Sequence, residues 1–300
     1  MRTRKLLPKL IFLMIPLALL LLALCTPIGG WFAQGVSEVW QAFVKLPGIT
    51  WLREQMAAEG SIEGASLEQE TEGIDALLEA GRAFQEQQAY EKALEHYREA
   101  LQRNEEYAPT HVALAGLYLQ LGKKKKAIQE LERAAELAPD NKYVLGELGR
   151  LYLEEDEYDK AVDVLEKAKK VAPDEAIVRY WLGLAYQLRS FSDAEQAVEE
   201  LEQAARLEPD RAEVYYHLGM AYLRRDDEGD EQRAIGAFRK VTELDPQEAD
   251  AYFYLGRLYL KSGEREAAVA AWRQYVAKAK DEEKVSKVRG WLQRLEEETP

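Results

Sequence analysis

A proline returns through this sequence at a nearly fixed interval: Pro139, Pro173, Pro209 and Pro246 are 34, 36 and 37 residues apart. Each closes a near-copy of one phrase, as in Ala-Ala-Glu-Leu-Ala-Pro-Asp at 134–140 and Ala-Ala-Arg-Leu-Glu-Pro-Asp at 204–210. A period of this length predicts a stacked array of short units, each burying its apolar face on its neighbours, rather than one closed core. Most enzyme architectures are excluded on that ground alone.

Aligned on the prolines, the chain falls into six units: 74–107, 108–141, 142–175, 176–211, 212–248 and 249–282. Each holds two segments with apolar residues at helical spacing, split by a short polar turn. The first segment reads Leu-Gly-x-x-Tyr in four units: Leu148-Gly149 with Tyr152, Leu182-Gly183 with Tyr186, Leu218-Gly219 with Tyr222, and Leu255-Gly256 with Tyr259. Ala80-Gly81 with Phe84 and Leu114-Ala115 with Tyr118 are close variants. Glycine inside a helix costs about 1 kcal/mol against alanine, so its recurrence predicts a close approach of the paired helix. The second segment carries a small residue, Ala93, Ala127, Ala161, Ala197, Ala234 or Ala268, and four residues later a large one: Tyr97, Leu131, Leu165, Leu201, Phe238 or Trp272. Small set against large lets the two helices interdigitate. Proline then stops the second helix, because its ring removes a donor and clashes with the preceding turn.

Over residues 74–282 this pattern resembles the tetratricopeptide repeat family. The departures are local. Glu105 and Lys280 stand where the closing proline is expected in repeats one and six, and repeats four and five carry extra residues around 189–193 and 226–231. The resemblance implies an all-α fold, a right-handed α-solenoid of six helix pairs whose first helices line a concave groove. It also implies binding of protein partners, often short peptides, and no catalysis. Beyond the repeats, Val285, Val288, Trp291, Leu292 and Leu295 form one apolar stripe, which predicts a capping helix over 283–300.

The amino terminus is of another kind. Residues 10–28 hold no charge, and at 1.5 Å per residue they span about 28 Å as a helix, close to the thickness of a bilayer core. Arg2, Arg4, Lys5 and Lys9 precede the run, and no acidic residue appears before Glu38. The expectation is a signal anchor with residues 1–9 in the cytoplasm and the repeats across the membrane. Two alternatives stay open: a cleaved signal peptide, and a lipoprotein modified at Cys25, each with an imperfect site. In 31–56, Val36, Trp40, Phe43 and Val44 share a helical face flanked by Trp31, Phe32 and Trp51; this reads as an amphipathic segment beside the membrane or as a soluble helix. Residues 57–73 are rich in Gly, Ser and Glu and read as an acidic linker.

The chain carries a net charge of −14, of which residues 1–37 contribute +4, so the remainder carries −18. Such a surface repels nucleic acid. The lone cysteine lies in the apolar run, which leaves no disulfide or thiolate metal site to the repeats. His96, His111 and His217 stand in different repeats, and His96 and His111 read as structural. The acidic turn 226–231 lacks the spacing of a calcium loop, and the turn Lys123 to Lys126 reads as solvated. No phosphate loop, nucleophile elbow or cofactor motif is present, so no enzyme activity and no cofactor are expected.

Candidate contact residues stand on the face of each first helix that points away from its partner. In repeats four to six these are Tyr180, Trp181 and Leu184; Tyr216, His217 and Met220; Phe253, Tyr254 and Arg257. In repeats one to three they are Leu78, Glu79 and Arg82; Val112, Ala113 and Gly116; Gly146, Glu147 and Arg150. The aromatic second half is the expected partner-binding groove, with packing between repeats as the competing use of the same rings. The combined expectation is a single-pass membrane-anchored scaffold that recruits or assembles protein complexes outside the cytoplasm. Self-association is the alternative.

Overall fold

The computed structural model describes residues 71–297. The chain divides between Gly73 and Ile74, and the described residues fall almost wholly in the compact unit Ile74–Pro300. The basic segment 1–9, the expected span 10–28, the segment 31–56 and most of the linker 57–73 lie outside the described residues. Among the described residues no helix is long and apolar enough to cross a membrane.

Thirteen α-helices and no strand make up the described residues. They run as α1 (71–86), α2 (Tyr90–Arg103), α3 (Ala108–Gln120), α4 (Lys124–Leu137), α5 (Lys142–Glu154), α6 (Tyr158–Val171) and α7 (Ala176–Arg189). The chain continues with α8 (Ala194–Leu207), α9 (Ala212–Arg225), α10 (Asp230–Leu244), α11 (Ala249–Lys261), α12 (Arg265–Lys278) and α13 (Glu282–Glu297). Consecutive helices pack in antiparallel pairs, and each second helix packs on the first helix of the next pair. The result is an all-α repeat solenoid closed at its end by α13.

Local chemistry sets the boundaries. Pro139, Pro173, Pro209 and Pro246 each follow the end of a second helix, where they remove a donor and block another turn. Asn141 caps α5 by accepting from the amides of Tyr143 and Val144 at 3.1 and 3.2 Å, and Asp281 caps α13 by accepting from those of Glu283 and Lys284. Between paired helices the chain reverses through a residue at positive φ, for example Gly122 at 67° and Asp156 at 59°, and the longer turn of repeat five uses two, Asp226 at 56° and Gly229 at 83°. Repeat four departs from this. Its extra residues form a 3-10 turn, Phe191–Asp193, in place of the left-handed residue.

The recurrent glycine of each first helix is a slot for the large residue of the second. A Cβ on Gly81 would collide with Tyr97, on Gly149 with Leu165, and on Gly256 with Trp272. At Gly183 it would lie 2.7 Å from Leu201 Cγ, and at Gly219 2.8 Å from Phe238 Cζ. Each of these five large side chains is at most 2% exposed. Full burial of one such side chain stabilises by about 1.5–3 kcal/mol, more than the helix loses through the glycine.

The tyrosine of the same motif works between repeats. Tyr186 donates to Glu166 and Tyr222 to Glu202, both at 2.7 Å, and Tyr152 donates to Glu132; in each case the carboxylate lies 20 residues earlier. At the corresponding distance before Tyr118 and Tyr259 stand Arg98 and Arg239, so the tie exists at three junctions only. A buried carboxylate adds a fourth link. Glu200 of α8 accepts from Lys169 of α6 at 2.9 Å and from Arg179 of α7 at 2.8 Å, which fastens three successive helices.

At the carboxyl end Val285, Val288 and Leu292 of α13 are buried against Trp272 and Tyr275, and Trp291 and Leu295 pack on the same cluster. The apolar stripe therefore covers the last repeat, as an end cap of an array must.

Candidate functional site

A wide cleft lies on the first helices of repeats two to four. The cleft, of about 600 Å³, runs across α3, α5 and α7, with Val112, Gly116, Leu119, Gly146, Val178 and Trp181 among its lining. Missing side chains create it. A Cβ on Gly116 would meet nothing within 4 Å, and one on Gly146 would rest 3.5 Å from Trp181 Cζ3. Two small residues on adjacent first helices thus leave unfilled the space that larger side chains occupy further along the array.

The charges at the rim are matched in pairs. Lys142 Nζ lies 2.6 Å from Glu175, and Arg150 Nε donates to Glu147 at 2.9 Å. Lys142 also stands 4.9 Å from the ring centre of Tyr143, whose side chain is 75% exposed. Val112 is exposed as well. The floor is apolar and its border is neutralised, so the cleft suits uncharged, bulky side chains of a partner.

Most of the aromatic residues expected to form the groove of repeats four to six pack on one another, and all but Tyr180 remain partly exposed. Tyr180 is buried. Its ring meets His217 at 5.6 Å, His217 meets Tyr216 at 5.5 Å, and Tyr216 meets Tyr254 at 6.2 Å. Tyr254 stacks on Phe238 at 5.1 Å and meets Phe253 edge-on at 5.6 Å; Phe253 reaches Trp291 of the cap at 6.1 Å. These rings form a continuous spine that joins successive repeats. Leu184 and Met220 are partly buried against the main core, as is Trp181, which alone of the expected residues lines the large cleft. Tyr216 and His217 border a smaller hollow of about 200 Å³ with Glu213, Asp245 and Glu248. Arg257 is exposed and lines a third cleft at the cap. Burial holds the His217 imidazole below its ordinary pKa, so it is neutral at physiological pH.

The other polar candidates are engaged inside the fold. His111 is buried, with Nδ1 2.7 Å from Glu130 and Nε2 3.0 Å from the Glu105 carbonyl, and His96 stacks on Phe84. The turn 226–231 is anchored to the fold through one of its acids. Asp230 is 1% exposed and accepts from Arg225 and Arg233, each at 2.7 Å, and from the Asp227 amide at 3.0 Å. These donors hold its pKa down to about 2. The Lys123 to Lys126 turn is also partly committed, since Lys124 pairs with Glu154 and Glu155 of the following repeat at 3.0 and 3.3 Å. Among the described residues no group of three or more His, Cys, Asp or Glu could hold a metal ion.

Comparison with known families agrees with this architecture. A tetratricopeptide repeat model matches residues 84–136, 125–182 and 227–292, and a second TPR repeat model matches 192–225. The chain belongs to the tetratricopeptide repeat family. Among solved structures it is similar to MamA, with 27% identity, a TM-score of 0.51, and coverage of 58% of this chain and 96% of that one. It shares the fold of YrrB, described as a TPR protein with an unusual peptide-binding site, at 24% identity and a TM-score of 0.56 over 65% of this chain and 97% of that one. Pseudomonas aeruginosa pilF has the same fold at 21% identity and a TM-score of 0.59, over 74% of this chain and 98% of that one. A search of curated proteins found no match. As a tetratricopeptide repeat protein, the chain is of a kind that mediates protein–protein interactions.

Proposed function

We propose that this tetratricopeptide repeat protein is a membrane-anchored scaffold that works by binding rather than catalysis, and that it holds a peptide or helix of a partner in the cleft of repeats two to four. The observation that carries the reading is the cleft itself: three successive first helices border an apolar space of about 600 Å³ that Gly116 and Gly146 leave empty. Apolar anchors buried in such a space commonly contribute about 2 kcal/mol or more each, whereas exposed ion pairs contribute less than about 1 kcal/mol. The solved relative described as having a peptide-binding site supports peptide capture as the mode. Residues 10–28 and their basic flank support the anchor, with the repeats on the far side of the membrane.

The two halves of the proposal are tested separately. At Gly116 an added Cβ meets nothing within 4 Å, so Gly116→Leu puts bulk into the cleft, and it should remove proteins that co-purify with the chain from detergent-solubilised membranes. Retention of the same set would refute the cleft as the site. For the anchor, protease added outside intact spheroplasts should digest the repeats; protected repeats would reverse the orientation. A mature chain that begins after the apolar run would replace the anchor with a cleaved leader.

A further inference from the structure

We infer a second docking site at the cap, separate from the cleft of repeats two to four: it takes an acidic amphipathic helix, one carboxylate of which sits on Arg257 and Arg294. The site is a cleft of about 440 Å³ lined by Arg257 and Leu260 of α11, Trp272 of α12, and Trp291, Arg294 and Leu295 of α13. Its apolar part is the partly buried indole of Trp291, whose ring centre lies 5.2 Å from that of the buried Trp272, together with Leu260, which is 40% exposed. Its walls are fixed. Arg265 donates to the Leu295 carbonyl, Arg273 pairs with Glu296 at 2.7 Å, and Trp272 Nε1 donates to the Phe253 carbonyl at 3.2 Å.

The two guanidinium groups set the partner's chemistry. Elsewhere on this acidic unit Arg150, Arg179, Arg189, Arg211 and Arg225 are paired with carboxylates; Arg82, Arg98, Arg224, Arg239 and Arg289 form no ion pair among the described residues, but none of them lines this cleft. Among the described residues Arg257 and Arg294 form no ion pair. Arg257 lies 6.0 Å from the Phe253 ring centre, and Arg294 Nε donates to the Gly290 carbonyl of its own helix at 3.2 Å. Terminal N–H groups of both arginines are therefore available to an outside acceptor, and a carboxylate fits their planar donor fork.

The walls also decide the form of the occupant. All six lining residues lie on helices. The main-chain amides there are committed to helical bonds, so no row of donors is offered to an extended strand. A partner that satisfies its own backbone and presents only side chains suits such walls, and that is a helix. The net charge of −18 beyond residue 37 repels carboxylates in general, so the two arginines that share a cleft with Leu260 and Trp291 are what holds an acidic amphipathic helix and fixes its register.

The test uses the full chain and a labelled, end-blocked, alanine-based peptide of about four helical turns that carries Leu, Trp and Glu on one face. Fluorescence anisotropy should show saturable binding. A Gln-for-Glu twin should bind about tenfold more weakly, as should the original peptide to Arg257→Gln or Arg294→Gln, with thermal midpoints unchanged. Salt should weaken the Glu peptide and spare its twin. Absence of saturable binding, equal affinity of the twins, or wild-type affinity in both arginine variants overturns the site. A Gln twin with a free chain terminus that binds as tightly as the Glu peptide overturns the helical occupant. Gly116→Leu should leave the titration unaltered. Loss of binding in that variant would place the peptide in the other cleft and overturn this inference while leaving the proposed function standing.

Discussion

Gly183 and Gly116 both lie inside first helices, yet alanine should move stability in opposite directions at the two positions. At Gly183 the added methyl would stand 2.7 Å from Leu201 Cγ and 3.2 Å from the Ala197 carbonyl oxygen. Leu201 is fully buried, and the carbonyl belongs to the α8 backbone, so neither contact is relieved by turning an exposed side chain. Overpacking of this kind costs about 1–3 kcal/mol, and removal of the glycine returns about 1 kcal/mol of helix propensity. The net expectation is a loss of about 1 kcal/mol. At Gly116 the methyl meets nothing within 4 Å, so only the helix term remains, a gain of up to about 1 kcal/mol. The variants should therefore differ by about 2 kcal/mol, or roughly 4–8 °C in thermal midpoint for a unit of this size. Since an array couples mainly to nearest neighbours, hydrogen exchange should place the loss in α7 and α8. Repeat two carries Ala115 at the equivalent slot, so a helix pair one methyl wider is compatible with the array. If Gly183→Ala stabilises as much as Gly116→Ala, α7 and α8 part freely and the slot argument fails.

Three further outcomes follow from the polar contacts. Tyr186→Phe, which loses the bond to Glu166, should cost about 1 kcal/mol in chemical denaturation, whereas Tyr259→Phe, with Arg239 in the matching place, should change stability by less than about 0.5 kcal/mol. Asp230 has a native pKa lowered from 3.8 to about 2, so its contribution of about 2 kcal/mol is present above pH 4 and lost as pH falls from 4 to 2; Asp230→Asn should flatten that part of an acid-unfolding curve. Burial lowers the pKa of His217, so the unfolded chain takes up its proton first and stability should fall as pH drops below about 6.5; His217→Gln should reduce that slope in urea midpoints measured across the range.

The repeat was legible because its signals are local and recur. The prolines mark where second helices end, and each Leu-Gly pair announces the large residue that fills its slot. The stripe from Val285 to Leu295 likewise declared a helix with one covered face. The site was less legible because a cleft is an absence. Gly116 and Gly146 read as small groove residues, and only their juxtaposition with Trp181 shows that the space between them is unfilled. Tyr216, His217, Phe253 and Tyr254 read equally well as a contact surface or as packing, and the structure gives much of their surface to one another. The Tyr-to-Glu ties at 20 residues were present in the sequence as a spacing, but carboxylates are so abundant here that the spacing carried no weight alone. Asp230 was hidden for the same reason, as one acid within an acidic turn. Arg294 sits on the capping helix, and its meeting with Arg257 is set by how α13 folds back.

The central claim, that the cleft of repeats two to four holds the partner, is most directly tested by one matched pair of substitutions. Gly116→Leu and Gly236→Leu place the same side chain at helical positions where a Cβ meets nothing within 4 Å, the first inside the cleft and the second on α10. Quantitative co-purification from solubilised membranes should show at least about a tenfold loss of partner with Gly116→Leu, equivalent to about 1.4 kcal/mol, and wild-type recovery with Gly236→Leu. Equal recovery with both variants would contradict the account.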